Sequence, residues 1–169
     1  MYRFLKTISM KKLTVILMAA TLCCGCVSQK SSTKVERFEQ DAQLIQAALN
    51  EHKFTVEVDH VYPSRFPAQH LDYGYEITVR NDSLISYLPY FGRAYSLPYG
   101  GGKGLNFKAR ISQYQTKRIK KDLTRIDLTA QNEEDIYQYQ VEIFDNGSAD
   151  IQVLSRQRES IRFTGTFKK

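Results

Sequence analysis

Residues 136–155, IYQYQVEIFDNGSADIQVLS, decide the fold. Tyr137, Tyr139, Val141 and Ile143 fall on alternate positions, Asp145-Asn146-Gly147-Ser148 interrupts them, and Ala149, Ile151 and Val153 resume the rhythm. Side chains two residues apart share one face of a strand. Asn-Gly supplies the positive φ that a tight connection between paired strands needs. The stretch therefore spells an antiparallel hairpin with one apolar face and one wet face.

The same period runs outward in both directions. Phe54, Val56, Val58 and His60 alternate with Thr55, Glu57, Asp59 and Val61; Tyr73, Tyr75, Ile77 and Val79 follow. Asn81-Asp82 then signals a turn into Leu84–Leu88. Leu105, Phe107, Ala109 and Ile111, then Ile126, Leu128 and Ala130, and finally Ile161, Phe163, Gly165 and Phe167 complete about eight strands. Eleven Tyr and nine Phe with no Trp agree with a β-rich chain. Only Glu36–His52 has helical spacing, with Phe38, Ala42, Ile45 and Leu49 on one stripe widened by Leu44 and Ala48, and with Ser32 or Thr33 as cap. One helix is too few for parallel crossovers. The expected fold class is α+β, mostly β: an N-terminal amphipathic helix packed on an antiparallel meander, as a curved sheet, a sandwich or a barrel.

The N-terminal segment carries an address. Lys11 and Lys12 precede the uncharged run Leu13–Leu22, and Cys23-Cys24-Gly25-Cys26 follows. The run is too short to span a bilayer, which takes about 20 helical residues, and suits a secretory h-region of about 7–15. Met10 opens such a signal more naturally than Met1 does. Gly25-Cys26 resembles the lipobox of bacterial lipoproteins, although Cys23 and not Leu stands three places before Cys26; Cys24, with Leu22 two places before it, is the fallback. The expected organisation is a lipoprotein signal at 1–26 with Cys26 acylated, a flexible tether at 27–34, and one β-rich domain at 35–169. A redox or metal reading of the cysteines lacks any later cysteine or ligand spacing. The expected location is the bacterial cell envelope, at the membrane through the N-terminal lipid.

Charge follows from that cleavage. The full chain has 24 Lys and Arg against 18 Asp and Glu. Arg3, Lys6, Lys11 and Lys12 leave with the signal, so 20 basic residues face 18 acidic ones, a net of +2. A balance so close to neutral is not the basic footprint of a nucleic-acid binder.

The segment Ile85–Phe107, ISYLPYFGRAYSLPYGGGKGLNF, stands apart. Its glycines and Lys103 fail the phosphate-loop pattern, because Leu97 and Gly104 occupy positions where that motif needs Gly and Ser or Thr. The glycines then serve tight turns or close backbone approach. Its aromatic residues either pack beneath the glycine-rich flap or form a partly exposed platform. In the second case Tyr90, Phe91, Arg93, Tyr95, Tyr99 and Lys103 are the candidate binding residues, for a glycan or a protein partner. Alternation places Tyr87 on the face opposite Leu84, Ser86 and Leu88.

Through SYLPYFGRAYSLPYGGGKG, the basic run Lys117–Lys121, DIYQYQVEI and SIRFTGTF, the chain resembles the bacterial lipoproteins of the domain of unknown function 4251 family over about residues 40 to 167. The resemblance implies an exported, often lipid-anchored, mostly-β domain and carries over no catalytic residue, because no activity is assigned to that family.

Catalytic signals are thin. His52, His60 and His70 lack metal spacing, and no serine or cysteine sits in a nucleophile elbow. His60 falls in the apolar phase of its strand and reads as a core or rim histidine. Glu57 and Asp59 share a strand face, usually the wet one. Lys117–Lys121 reads as a hairpin tip. No cofactor, no metal and no catalytic residue is expected. The leading expectation is a non-enzymatic binding module acting through the Tyr/Arg/Gly loop. The alternatives are a hydrolase of cell-wall or dietary glycan and a structural or inhibitor-like envelope protein.

Overall fold

The computed structural model describes residues 32–96 and 102–168. Helix α1 spans Ser32–Asn50. Eight strands follow: β1 Lys53–Pro63, β2 Gln69–Arg80, β3 Ser83–Leu88, β4 Leu105–Lys120, β5 Leu123–Gln131, β6 Ile136–Phe144, β7 Ser148–Ser155 and β8 Ile161–Lys168. Each strand pairs antiparallel with the next, and β8 returns to pair with β1, so the meander closes into a barrel in sequence order. Arg37–Lys169 form one compact unit. No helix among the described residues is long and apolar enough to cross a membrane.

Alternation becomes inside and outside. Val56, Ile77, Leu84, Ile126, Tyr139, Ile151 and Phe163 are fully buried, while their sequence neighbours largely face solvent. An eight-strand barrel is just wide enough for side chains to fill it, and here they do. Each large aliphatic side chain so buried stabilises the fold by about 1.5–3 kcal/mol. Two of the buried polar side chains satisfy one another: the Tyr139 hydroxyl donates to Ser86 Oγ at 2.9 Å, and Ser86 donates to the Leu105 carbonyl at 2.6 Å. Burial raises the Tyr139 hydroxyl pKa far above its ordinary range. Phe107 stacks on Tyr137 with ring centroids 4.5 Å apart.

Closure is achieved at the β1–β8 seam. The register of β1 shifts between Val58 and His60 against both β2 and β8, the mark of a bulge, which bends and twists a strand. Gly165 lies opposite Val58 there, and a Cβ added to it would stand 1.9 Å from the Glu57 carbonyl oxygen. Only glycine lets the backbones approach so closely. The bulge also overturns one expectation: Val61 and Pro63 take the inward positions, and His60 faces outward, half-exposed. The extra residue, Asp59, flips the phase of everything after it.

The two ends of the barrel differ. At one end α1 meets the short turns. Asn81 has φ 56° and its amide donates to the His52 carbonyl at 2.8 Å. Gly147, at φ 88°, closes the 145–147 turn anticipated from Asp-Asn-Gly-Ser. The basic run leads into a hairpin tip at Lys121-Asp122, but Lys117–Lys120 belong to β4 itself; there Arg118 pairs bidentately with Asp145 (Nη1–Oδ1 2.8 Å) and bonds the Lys121 carbonyl. Helix α1 begins at Ser32, within the segment expected to be tether.

The stripe of α1 is narrower than its spacing suggests. Ile45 and Leu49 join the core, but Phe38 and Leu44 are 47% and 59% exposed. A sheet that curls shut covers its own apolar face, and only one end is left for the helix to contact. That contact is fixed by Gln46 donating to Thr124 Oγ1 at 2.9 Å and by Tyr114 donating to the Leu49 carbonyl at 3.1 Å.

Candidate functional site

At the other end of the barrel lie the connections 64–68, 132–135 and 156–160 and the described parts of the β3–β4 connection, 89–96 and 102–104. Pro89 stops β3, since it has no N–H for the ladder. Beyond it the chain forms a strap across the 156–160 loop. Tyr95 N donates to the Gln157 carbonyl at 2.7 Å, Glu159 N donates to the Arg93 carbonyl at 3.0 Å, and Ala94 makes a single antiparallel bridge with Arg158. The Tyr90 hydroxyl lies 3.0 Å from both the Arg93 and the Glu159 carbonyl oxygens and shares its one proton between them. Burial, then the nearby Glu159 charge, raises the Tyr90 pKa against the lowering pull of Arg158.

Beneath the strap lies Arg158, 7% exposed. Its guanidinium sits 5.3 Å from the centre of the Tyr90 ring and pairs with Glu134 (Nη2–Oε2 3.3 Å). The other Glu134 oxygen accepts from Lys103 N at 3.1 Å, so one carboxylate ties the glycine-rich limb to the buried cation. A Cβ at Gly102 would stand 2.5 Å from Arg158 Nη2 and 2.7 Å from Glu134 Oε2.

The 132–135 turn is held locally: Asn132 Oδ1 accepts from the amides of Glu134 and Asp135, each at 2.8 Å. Buried Asp135 accepts from Ile136 N at 2.7 Å, from Gln157 N at 2.9 Å and from the Ser155 hydroxyl. Burial alone would raise its pKa, but these donors together outweigh burial and hold it below 3.8. Glu159 is likewise lowered: burial opposes its charge, and Arg65 Nε at 2.7 Å, with Arg93 N at 3.3 Å, overrides it. Carboxylates held ionised in this way are anchors for loops, and proton donation at neutral pH needs the opposite shift.

The sequence-derived candidates therefore divide. Tyr90 points inward and is part of the scaffold. Phe91, Arg93 and Tyr95 lie together on the strap with their side chains exposed, Phe91 by 36% and Tyr95 by 62%. Arg93 and Tyr95 contribute only backbone atoms to the strap's hydrogen bonds with the 156–160 loop. Lys103 is exposed on the far limb, beside a cleft of about 300 Å³ that it lines with Asn106, Lys108 and Glu133. Tyr99 and Cys26 lie outside the described residues. Tyr87 is 46% exposed on the outer face, as alternation required, and stacks on Tyr75 with centroids 5.3 Å apart.

Sequence reasoning missed the groups that hold the strap end, namely Arg65, Glu134, Asp135, Arg158 and Glu159. Phe66 is 57% exposed beside Arg65 and adds an aromatic ring to the same end. Only Asn132-Glu133-Glu134-Asp135 carried a local signal, as a turn begun by an Asn side chain. Among the described residues no group of three or more His, Cys, Asp or Glu is placed to hold a metal ion.

The family model described as "Domain of unknown function (DUF4251)" matches residues 36–167, nearly the whole barrel and most of its helix. The chain belongs to the DUF4251 family. A crystal structure of a DUF4251 family protein from Bacteroides eggerthii DSM 20697 is similar to it, with a TM-score of 0.58 at 13% identity, covering 75% of this chain and 86% of that one. At that identity the likeness is one of fold. No curated protein matches the chain. Within this DUF4251 barrel the strap is tied down by backbone bonds to the 156–160 loop above the buried Arg158–Glu134 pair and carries exposed aromatic residues.

Proposed function

We propose that the protein is an exported, lipid-anchored envelope module that binds a glycan or protein partner through Phe91, Arg93 and Tyr95 on the strap, with Arg65 and Phe66 beside them. One observation carries this reading. The barrel interior is occupied by its own side chains, while large aromatic residues are left in water on a strap whose backbone is pinned at Arg93, Ala94 and Tyr95. Exposed rings on a pinned backbone lose little entropy on binding, and tyrosine with arginine is the favoured anchor chemistry of recognition surfaces. Aromatic faces also stack on sugar rings, and Arg93 adds a planar donor for hydroxyl or carboxylate groups. Export rests on the leader with its apolar run and Gly25-Cys26.

Two measurements test it. Cys26→Ser should move the protein from the membrane fraction to the soluble fraction; membrane retention of the substituted, unacylated chain would overturn the anchor. A glycan array, together with crosslinking to neighbouring envelope proteins, should give binding that Arg93→Ala/Tyr95→Ala removes. Equal binding by that variant would overturn the role of the strap.

A further inference from the structure

On the outer face of the β1–β2 ladder His60 and His70 are direct register partners across antiparallel strands. Their rings lie 4.8 Å apart between centroids and are tilted by 59°. Both side chains are open to water, His60 by 43% and His70 by 61%. Side chains directly opposite on neighbouring strands project from the same face, so both imidazoles stand over the same patch.

We propose that His60 and His70 form a two-imidazole site for a borderline divalent cation, Cu²⁺, Ni²⁺ or Zn²⁺. The spacing between ring centres is one that chelation by both rings allows. A metal–nitrogen bond of about 2.0–2.1 Å plus about 1.1 Å from nitrogen to ring centre puts two cis imidazoles about 4.5–5.2 Å apart, from square to tetrahedral angles. The observed separation falls inside that window. Imidazole nitrogen suits these three metals, with copper held most tightly.

The carboxylates around the pair complete the argument. Asp59 Oδ1 lies 2.9 Å from His60 Nδ1, and the Thr164 hydroxyl donates to that same oxygen at 3.3 Å. A carboxylate on Nδ1–H fixes the tautomer in which Nε2 keeps its lone pair; this is the usual outer shell of a metal-binding histidine. Asp72 Oδ1 is 3.6 Å from His70 Nε2, too far for a hydrogen bond but close enough to add negative charge. With two protein nitrogens, water fills the remaining positions of the metal. The bulge at Asp59 builds the site, because without it His60 would point into the barrel. This inference stands apart from the binding role of the strap.

The test uses the full chain in detergent, prepared without a polyhistidine tag, and the metal alone. Substoichiometric Cu²⁺ should broaden the ring NMR signals of His60 and His70 and spare His52. His52 is the internal control, in tilted contact with the Tyr114 ring at a centroid distance of 3.9 Å beside the helix end of the barrel. Zn²⁺ should raise the melting temperature, as any ligand selective for the folded state does. His60→Gln or His70→Gln should weaken affinity at least about tenfold, and Asp59→Asn by about tenfold, the usual cost of losing an outer-shell carboxylate. Equal broadening of all three rings, binding by the glutamine variants as tight as by the native chain, or no binding by submillimolar metal would each overturn the proposal.

Discussion

Removing the Glu134 side chain should loosen the strap end of the barrel far more than an exposed glutamate normally would. Its partner Arg158 is 7% exposed and Glu134 itself 17%, with 3.3 Å between them. Deleting one member of a buried pair strands the other charge, which costs 3–5 kcal/mol in well-studied cases. Glu134 keeps some access to water, so the lower end applies, about 3 kcal/mol for Glu134→Ala. For a domain of this size about 4 °C is lost per kcal/mol, giving a fall in melting temperature of about 12 °C. The Lys103 amide, which donates to the same carboxylate, should lose protection from hydrogen exchange. Replacing both partners, as Glu134→Met/Arg158→Met, should recover most of the loss, because apolar groups of similar volume need no partner. The assay is a double-mutant cycle from urea and thermal melts, and the expected coupling is about 2 kcal/mol. A single substitution within about 1 kcal/mol of the native chain, with coupling under about 0.5, would show that the strap does not depend on this ion pair.

Further expectations concern other links. Gly165→Ala should cost at least about 3 kcal/mol or prevent folding, since its new methyl group meets backbone and not a yielding side chain; a near-native melt would refute the close seam. Asp135 has a folded-state pKa below 3.8, so its stabilisation is complete above that value and is lost as pH falls through the lower folded pKa. Urea midpoints of Asp135→Asn should therefore sit below native at pH 7, with the gap narrowing in acid; a gap independent of pH would dismiss the linkage. Arg93→Ala/Tyr95→Ala should melt within about 0.5 kcal/mol of native, because both residues use only backbone atoms in the strap's bonds to the 156–160 loop. A large loss would make these side chains scaffold and not surface.

How much was legible in advance varies by element. The hairpin around Asn146-Gly147, the Asn81-Asp82 turn and the basic tip at Lys121-Asp122 were readable because turn chemistry is local. So was Tyr87 on the outer face. The inward course of Tyr90 was not. Its hydroxyl is held by the Glu159 carbonyl, on a loop far along the chain, and nothing within Leu88–Gly92 announces that partner. His60 was misplaced for a related reason. Simple alternation has no term for an extra residue, and the bulge at Asp59 became visible only against the registers of β2 and β8. Phe38 and Leu44 share the helical stripe, yet remain in water because the sheet had covered its own apolar face.

By itself the amino-acid order determined the number and kind of elements, since strand period, helix stripe and turn residues express forces acting over a few positions. It also carries the uncharged run Leu13–Leu22 ahead of Gly25-Cys26, on which the proposal of export rests. Only the tertiary structure decided that β8 closes onto β1, that Arg158 lies beneath Tyr90, and that Phe91 and Tyr95 stay in water while Tyr90 does not. Each of those outcomes depends on backbone pairing between distant segments. A residue's exposure is settled by what folds over it, and that covering is written elsewhere in the chain.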